Sequence, residues 1–381
     1  MLNVIISFHE GMKAAVLSDG DFSDPFDVSN GTKQGCVMAP VLFALFFSVM
    51  LKHAFTECDA GVQFQFRTSG GLFNHQRFKA SSLTRGSLIR DLLFADDAAL
   101  VATSFEEAQE LVDRFSSACK AFGLTISIKK TEVVHQPKPV PKQIGGVKQP
   151  PPVHEFPDSP VTIDGNNLKY VKTFTYLGST INSSASMDDE VIHRISKATK
   201  AFGKLRHRLW NERGVSLKTK IGVYRAIVLT TLLYGSESWT LYRKHINQLD
   251  VFHKHCLRSI CGYSLEDRVT NADLLEKCKI GGIEAFLLQS QLRWAGHVIR
   301  MKDDRLPKIL MYAQLERGKR NVGRPWLRYK DKLKSNLKSL EIPLERVERL
   351  AEDRVKWRAD CHQAITSFEK RRIQHLRELR H

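Results

Sequence analysis

The chain has 381 residues, 42% of them apolar and 26% charged, which is enough to bury at least one full-sized core and excludes disorder as a description of the whole molecule. Its 58 basic residues against 41 acidic ones give a formal charge of +17, pointing to a polyanionic partner with nucleic acid first among them. Residues 1–180 carry 17 basic and 18 acidic side chains, a net of −1, whereas residues 181–381 carry 41 and 23, a net of +18. That asymmetry fits a near-neutral domain joined to a nucleic-acid-handling one.

Seven cysteines (Cys36, Cys58, Cys119, Cys256, Cys261, Cys278 and Cys361) are odd in number and widely spaced, with no C-x-x-C pair, a usage that fits a reducing compartment. The opening residues have no basic n-region, and their apolar run is broken by His9 and Glu10, so no secretory signal is read there. The uncharged run 36–51 is 16 residues long and contains Pro40. It falls short of the ~18–20 residues that span a bilayer, so a buried helix is expected, with no membrane segment and an intracellular location, nucleus and/or cytoplasm.

In chain order, Pro40 opens a helix through Leu51 that should be buried on most sides. Apolar runs over 87–95 and 98–103 flank Asp96-Asp97 and predict a β-hairpin with two carboxylates at its turn. Apolar residues at 108, 111, 112, 115, 118, 121 and 122 give a helical period over 105–122, and Ile126 and Ile128 alternate as in a strand. Eight of the thirteen prolines fall in residues 137–160, which marks an extended connector. Residues 161–163, the turn Asp164-Gly165 and residues 168–177 suggest another strand pair.

From Met187 onward helices dominate. Val191, Ile195, Phe202, Leu205 and Leu209 share a face behind Asp188 or Asp189 as cap, and Ser216 can cap a helix running through Tyr234. Further helices are predicted over 245–261, 283–300, 325–340 and 344–378, the last with a weak apolar stripe that reads as solvated.

Asp96-Asp97 carries the chemistry. Adjacent carboxylates at a tight turn repel each other, and a divalent cation is the simplest counter-charge, although Asp also serves turns through its own side-chain hydrogen bonds. His253, Cys256 and Cys261 invite a zinc reading, but their spacing matches no standard finger and the intervening Leu257 and Ile260 fit a helical core stripe. Lys319, Arg320, Arg324 and Arg328 surround Pro325 and Trp326, as a phosphate-contacting and base-stacking segment would, or as a solvated basic loop.

The order of several segments adds a resemblance. Gly31-Thr32-Lys33-Gln34-Gly35 with the run to Phe43, then Phe94-Ala95-Asp96-Asp97, then residues 123–132, then Tyr176-Leu177-Gly178-Ser179, resemble four successive motifs of the reverse transcriptases of non-long-terminal-repeat (LINE-type) retrotransposons. Residues 233–239 (L-Y-G-S-E-S-W), 291–301 (Q-L-R-W-A-G-H-V-I-R-M) and 318–325 (G-K-R-N-V-G-R-P) resemble the carboxy-terminal region of such proteins.

The resemblance implies an RNA-directed DNA polymerase, a nucleotidyltransferase that uses two Mg²⁺ ions, an RNA template, a DNA primer or target and deoxynucleoside triphosphates. It implies Asp96 and Asp97 as catalytic metal ligands. Gln34, Gly35 and Lys130 fall at nucleotide- and template-binding positions, and Tyr176, Leu177 and Gly178 at the hairpin that holds the primer terminus. Lys130 also reads, on its own, as a solvated strand end.

The implied fold class is α+β. A partial palm with an antiparallel sheet (1–136) is followed by the connector (137–160), the last palm hairpin (161–182), an all-α thumb (183–244), a basic helical domain (245–340) and a charged helical tail (341–381). The family also needs an Asp on a strand upstream of the Gly-x-x-Gln-Gly segment. Here Glu10, Asp19, Asp21, Asp24 and Asp27 sit in what reads as a polar loop and hairpin, so the first catalytic motif is not found and the two-ion site reads as incomplete. Little or no polymerase activity is expected of this chain alone, and the competing expectation is a non-catalytic RNA- or DNA-binding remnant.

Overall fold

A computed structural model describes residues 2–29, 31, 35–137, 143–144, 147–148, 160–264, 266–316 and 327–378. The chain divides into two compact units. The first comprises Met1–Ala60, Arg90–Ser127 and Thr162–Asn166, and the second Gly61–Ile89, Ile128–Val161 and Asn167–His381. Helices alternate with small, mostly antiparallel sheets, as the α+β expectation requires. Most of the connector 137–160 lies outside the described residues; its described part is a short antiparallel pair, Gln143–Ile144 with Val147–Lys148.

In the first unit, helix Ala39–Ala54 carries Pro40 in its first turn, where a missing N–H leaves no intrahelical bond unmade. Helix Phe105–Ala121 is started by Ser104, whose hydroxyl accepts the Glu107 N–H at 3.2 Å, while the Glu107 carboxylate accepts the Thr103 N–H at 2.8 Å. The two helices share a core of Met50, Ala54, Leu111, Ala118 and Cys119. One expectation is corrected here. Val41, Leu45 and Val49, spaced four apart on one face of helix Ala39–Ala54, are 61%, 60% and 59% exposed. The helix is apolar on all sides and covered on only some of them, because composition states how apolar a helix is and not what packs against it.

The second unit is mainly helical. Helix Asp188–Lys204 is capped by Met187, one residue earlier than expected, with the Ser186 hydroxyl accepting the Asp188 N–H at 3.1 Å. Ser216 caps the next helix by accepting the Thr219 N–H at 3.2 Å, and the helical path runs on to Leu232 through a wider π turn at Tyr224–Leu229. Helix Arg243–Cys261 ends on Gly262, which takes the left-handed φ of +70° that stops a helix cheaply. Helices Asn271–Cys278 and Leu306–Tyr312 add to the expected set, Ile283–Ile299 matches its predicted span, and Tyr329–Ser339 covers the later part of 325–340, whose residues 325–326 lie outside the described residues.

Two large cores and a smaller one of Phe66, Ile309 and Ala313 hold this unit. Val191, Tyr224, Leu232, Leu249, Leu257 and Leu274 build one of the large cores, and Leu292, Ala295, Leu333, Leu337, Trp357 and Cys361 the other. The carboxy-terminal stretch is therefore packed, contrary to the solvated reading. It breaks at Asp353 into Val347–Glu352 and Arg354–Glu378, and Trp357, Cys361, Ala364 and Phe368 line one face at helical spacing. The Trp357 indole donates to the Leu292 carbonyl at 3.0 Å, and a Cβ on Gly296 would overlap that indole.

The sheets differ from expectation in three places. Residues 168–177, expected as one strand paired across Asp164-Gly165, split into Lys169–Tyr170, parallel to Glu132–Val133, and Thr173–Tyr176, paired with Ser179–Asn182. Residues 87–89 belong to strand Arg85–Ile89, which pairs with Val62–Phe66, with Gln314–Leu315 on the other edge. No strand forms at Ile126 and Ile128; a 3₁₀ turn covers Ile128–Lys130, since two alternating residues are too few to specify a ladder. Among the described residues no helix is long and apolar enough to cross a membrane.

Candidate active site and nucleic-acid interface

The carboxylate hairpin forms as the sequence predicts. Strands Asp91–Phe94 and Asp97–Leu100 are antiparallel with Phe94 opposite Asp97, so Ala95 and Asp96 make a two-residue turn, with Ala95 at a φ of +54°. Both Asp96 and Asp97 are exposed. Arg90, at the base of the hairpin, donates to the Cys58 carbonyl at 2.5 Å and the Phe55 carbonyl at 3.3 Å and lies over the Phe55 ring. It ties the hairpin to the end of helix Ala39–Ala54. Burial pushes the neighbouring Asp91 carboxyl above its usual range.

Gly35, in the same unit, is exposed with a φ of +85°, a backbone conformation open to glycine at no steric cost. Gln34 lies outside the described residues. Glu10, Asp19, Asp21, Asp24 and Asp27 are exposed, the last paired with Lys13 at 3.8 Å, around two short hairpins. Asp96 and Asp97 offer hard oxygen donors suited to Mg²⁺. Among the described residues, however, no group of three or more His, Cys, Asp or Glu side chains could hold a metal.

The second unit holds the other expected residues. Tyr176 and Ser179 pair across hairpin Thr173–Tyr176 with Ser179–Asn182, which makes Leu177-Gly178 its two-residue turn, with φ of +49° and +81°. Positive φ at both positions is the hairpin turn that matches strand twist, and Gly suits it. Lys130 ends the Ile128–Lys130 turn with an exposed side chain.

Of the predicted phosphate contacts, Lys319, Arg320 and Arg324 lie outside the described residues. Arg328 is exposed at the start of helix Tyr329–Ser339, with its guanidinium paired to Asp331 at 3.1 Å. Burial, then the charges of Arg328, Lys330, Arg77 and Lys334, hold His75 below its usual pKa. Burial with Arg77 and Arg328 brings Lys330 down to about 8. Arg77 is buried and donates to the Gly71, Leu72, Asn74 and Tyr312 carbonyls, and Lys330 donates to the Ala313 carbonyl, so the charge reaching the surface here is that of Arg328 and the part-exposed Lys334.

A basic face lies on helix Asp188–Lys204. Lys197, Lys200 and Lys204 are exposed at i, i+3 and i+7, and exposed Arg206 and Arg208 follow. Burial and the Lys197 charge lower the His193 pKa.

The zinc reading does not gather its ligands. His253 is fully buried, its Nδ1 2.8 Å from the Tyr224 hydroxyl and its Nε2 3.2 Å from the Gly281 carbonyl, so both ring nitrogens are committed. Burial raises the Cys256 thiol to about 12. Cys261 turns instead to Cys278, 3.4 Å away, a pair that spacing in the sequence did not suggest.

Residues 8–181 match the reverse transcriptase (RNA-dependent DNA polymerase) family. A transposon-derived protein of Caenorhabditis elegans is 26% identical over 289 residues, 74% of this chain and 98% of that protein. The RNA-directed DNA polymerase from mobile element jockey of Drosophila funebris is 23% identical over 269 residues, 69% of this chain and 25% of that protein. The Pol polyprotein from the type-1 retrotransposable element R1 of Nasonia vitripennis is 27% identical over 158 residues, 39% of this chain and 44% of that protein. The match thus spans about a quarter of the jockey polymerase and nearly all of the nematode protein. Family match, motif order and the carboxylate hairpin agree: residues 8–181 match a reverse transcriptase domain, and the chain is similar to polymerases of retrotransposons.

Proposed function

We propose that this chain is a retroelement RNA-directed DNA polymerase that holds an RNA template and DNA primer through its basic helical half and, by itself, extends the primer little. The observation that carries the polymerase reading is the hairpin inside the matched residues that exposes Asp96 in its turn and Asp97 beside it. Low activity alone is supported by the sequence, in which Glu10, Asp19, Asp21, Asp24 and Asp27 do not form the family's upstream Asp motif on an apolar strand. In this reading the exposed Lys130 ammonium meets the triphosphate of the incoming nucleotide. Gln34 and Gly35 line its pocket, and Tyr176, Leu177 and Gly178 hold the primer end.

Duplex retention falls to Lys197, Lys200 and Lys204 and to Arg328 with Lys334, where ammonium and guanidinium groups can replace counterions on phosphates. The alternative, a binding protein without catalysis, rests on the same net charge of +18 after residue 180. Filter binding of an RNA–DNA hybrid between 50 and 300 mM KCl tests the shared claim. A log–log salt slope of about −3 to −5 is expected, with about one unit lost for each lysine removed in a Lys197→Gln, Lys200→Gln, Lys204→Gln variant. A flat salt dependence would contradict both readings.

A further inference from the structure

The turn at Leu177-Gly178 is held by more than its own hairpin. The Tyr234 hydroxyl donates to the Leu177 carbonyl at 3.2 Å, and the Arg194 guanidinium donates to the Gly178 carbonyl. Arg194 also lies 4.6 Å from the centre of the Tyr234 ring and pairs with Glu190 at 2.8 Å. The second Glu190 oxygen accepts the Thr180 N–H at 2.6 Å, just past the turn. A Cβ on Gly178 would sit 3.4 Å from the Tyr234 ring, so the glycine also lets that ring approach the backbone.

Both carbonyls of a two-residue turn and one amide beside it are thus fixed by side chains from other elements. Glu190 and Arg194 are 1% and 3% exposed. An ion pair so deeply buried adds little net stability, because removing both charges from water costs about what their attraction returns. Its use lies in fixing a geometry, and what it fixes here is the turn, where Leu177 stays 39% exposed and Tyr234 53% exposed.

We propose that Glu190, Arg194 and Tyr234 are positioning residues that set the Leu177-Gly178 turn against the terminal nucleotide of the primer strand. This rests on reading residues 176–178 as the primer-holding hairpin. Arg194 acts through the Gly178 carbonyl, Tyr234 through the Leu177 carbonyl, and Glu190 by orienting Arg194 and the Thr180 amide. None of the three needs to touch the reacting atoms. The L-Y-G-S-E-S-W segment acquires a task in this arrangement. It delivers Tyr234 to the turn, and Gly235, at a φ of +76°, brings the backbone close to the Ser179 hydroxyl.

The test uses the full chain bound to an RNA template annealed to a DNA primer whose 3′-terminal nucleotide is 4-thiothymidine. After irradiation, cross-linked peptides are mapped, and the fraction at residues 176–178 is expressed per bound duplex. Wild type is expected to cross-link there. Arg194→Lys should lower that fraction about tenfold, the worth of one charge-assisted hydrogen bond. Tyr234→Phe, which keeps the ring and folds without a buried charge at stake, should lower it about threefold. Cross-linking at 176–178 that persists undiminished in both variants overturns the positioning role while leaving the primer-holding reading standing. Wild type that cross-links elsewhere overturns that reading and the positioning role with it.

Discussion

The two units differ in how completely they bury their apolar surface. The first carries the Asp96-Asp97 turn on two helices whose shared core is modest, and leaves Val41, Leu45, Val49 and Phe22 exposed. The second closes two large cores and pairs many of its buried polar groups, as in Glu190–Arg194, His253–Tyr224 and Gln291–Asn336, while the Ser236 hydroxyl and the Arg77 Nε are buried without a hydrogen-bond partner. On the proposed reading, the metal-binding carboxylates sit on the less completely covered unit and the grip on nucleic acid on the other. A loosely covered scaffold opens locally at lower free energy, so loss of the catalytic arrangement need not entail loss of the binding half.

All five tryptophans, Trp210, Trp239, Trp294, Trp326 and Trp357, fall after residue 200, so indole emission follows the second unit alone. The largest expected effect is there. Trp357→Ala should lower the stability read by urea unfolding by about 3–5 kcal/mol, and Gly296→Ala, which drives a methyl into the same indole, by about 1–3 kcal/mol. In the first unit Met50→Ala should cost about 2–5 kcal/mol, read by hydrogen exchange in helices Ala39–Ala54 and Phe105–Ala121, with the tryptophan transition unmoved. A shift in that transition would mean that the two units unfold as one.

A pH effect comes next and also belongs to the second unit. Burial holds His253 down at about 4, against 6.5 when exposed. The unfolded chain takes up a proton that the folded one refuses. This contribution to stability is therefore complete above pH 6.5 and drains away as the pH falls toward 4, by about 3 kcal/mol in all. Urea midpoints at pH 7.5, 6 and 4.5 should show the decline, and His253→Gln should flatten it. The smallest effects concern single surface groups. Leu45→Gln should change stability by less than about 0.5 kcal/mol while weakening binding of an apolar dye, because the side chain is already in water. The Cys278 thiol, with Lys277 and Lys220 near, draws Cys261 down to about 7, so iodoacetamide at pH 7 should label Cys261 well before Cys256 or Cys361, both held at about 12 by burial.

Much of this was legible in the sequence where one local signal decides the outcome. Ser104 and Ser216 announce helices through their own hydroxyls, and the apolar runs around Asp96-Asp97 define the hairpin. The packed tail was legible too, in the spacing of Trp357, Cys361, Ala364 and Phe368, but its many charges masked that stripe. What escaped depends on partners distant in sequence. Glu190 and Arg194 stand four apart on a helix, and nothing local says that the Gly178 carbonyl and the Tyr234 ring will meet Arg194. Arg90 is equally silent until Cys58 and Phe55 present their carbonyls. The exposed face of helix Ala39–Ala54 was missed for the opposite reason, since apolar residues on every side give no hint of which will lack a neighbour.

The central claim, a reverse transcriptase that binds its substrate and by itself turns over little, meets its most direct test in primer extension. Purified chain, wild type and Asp96→Asn, is given an RNA template, an annealed DNA primer, deoxynucleoside triphosphates and Mg²⁺ at a concentration where hybrid binding is complete. Both proteins should leave the primer unextended, or nearly so, while retaining it equally. Extension by wild type that disappears in Asp96→Asn would contradict the account and establish a complete catalytic site.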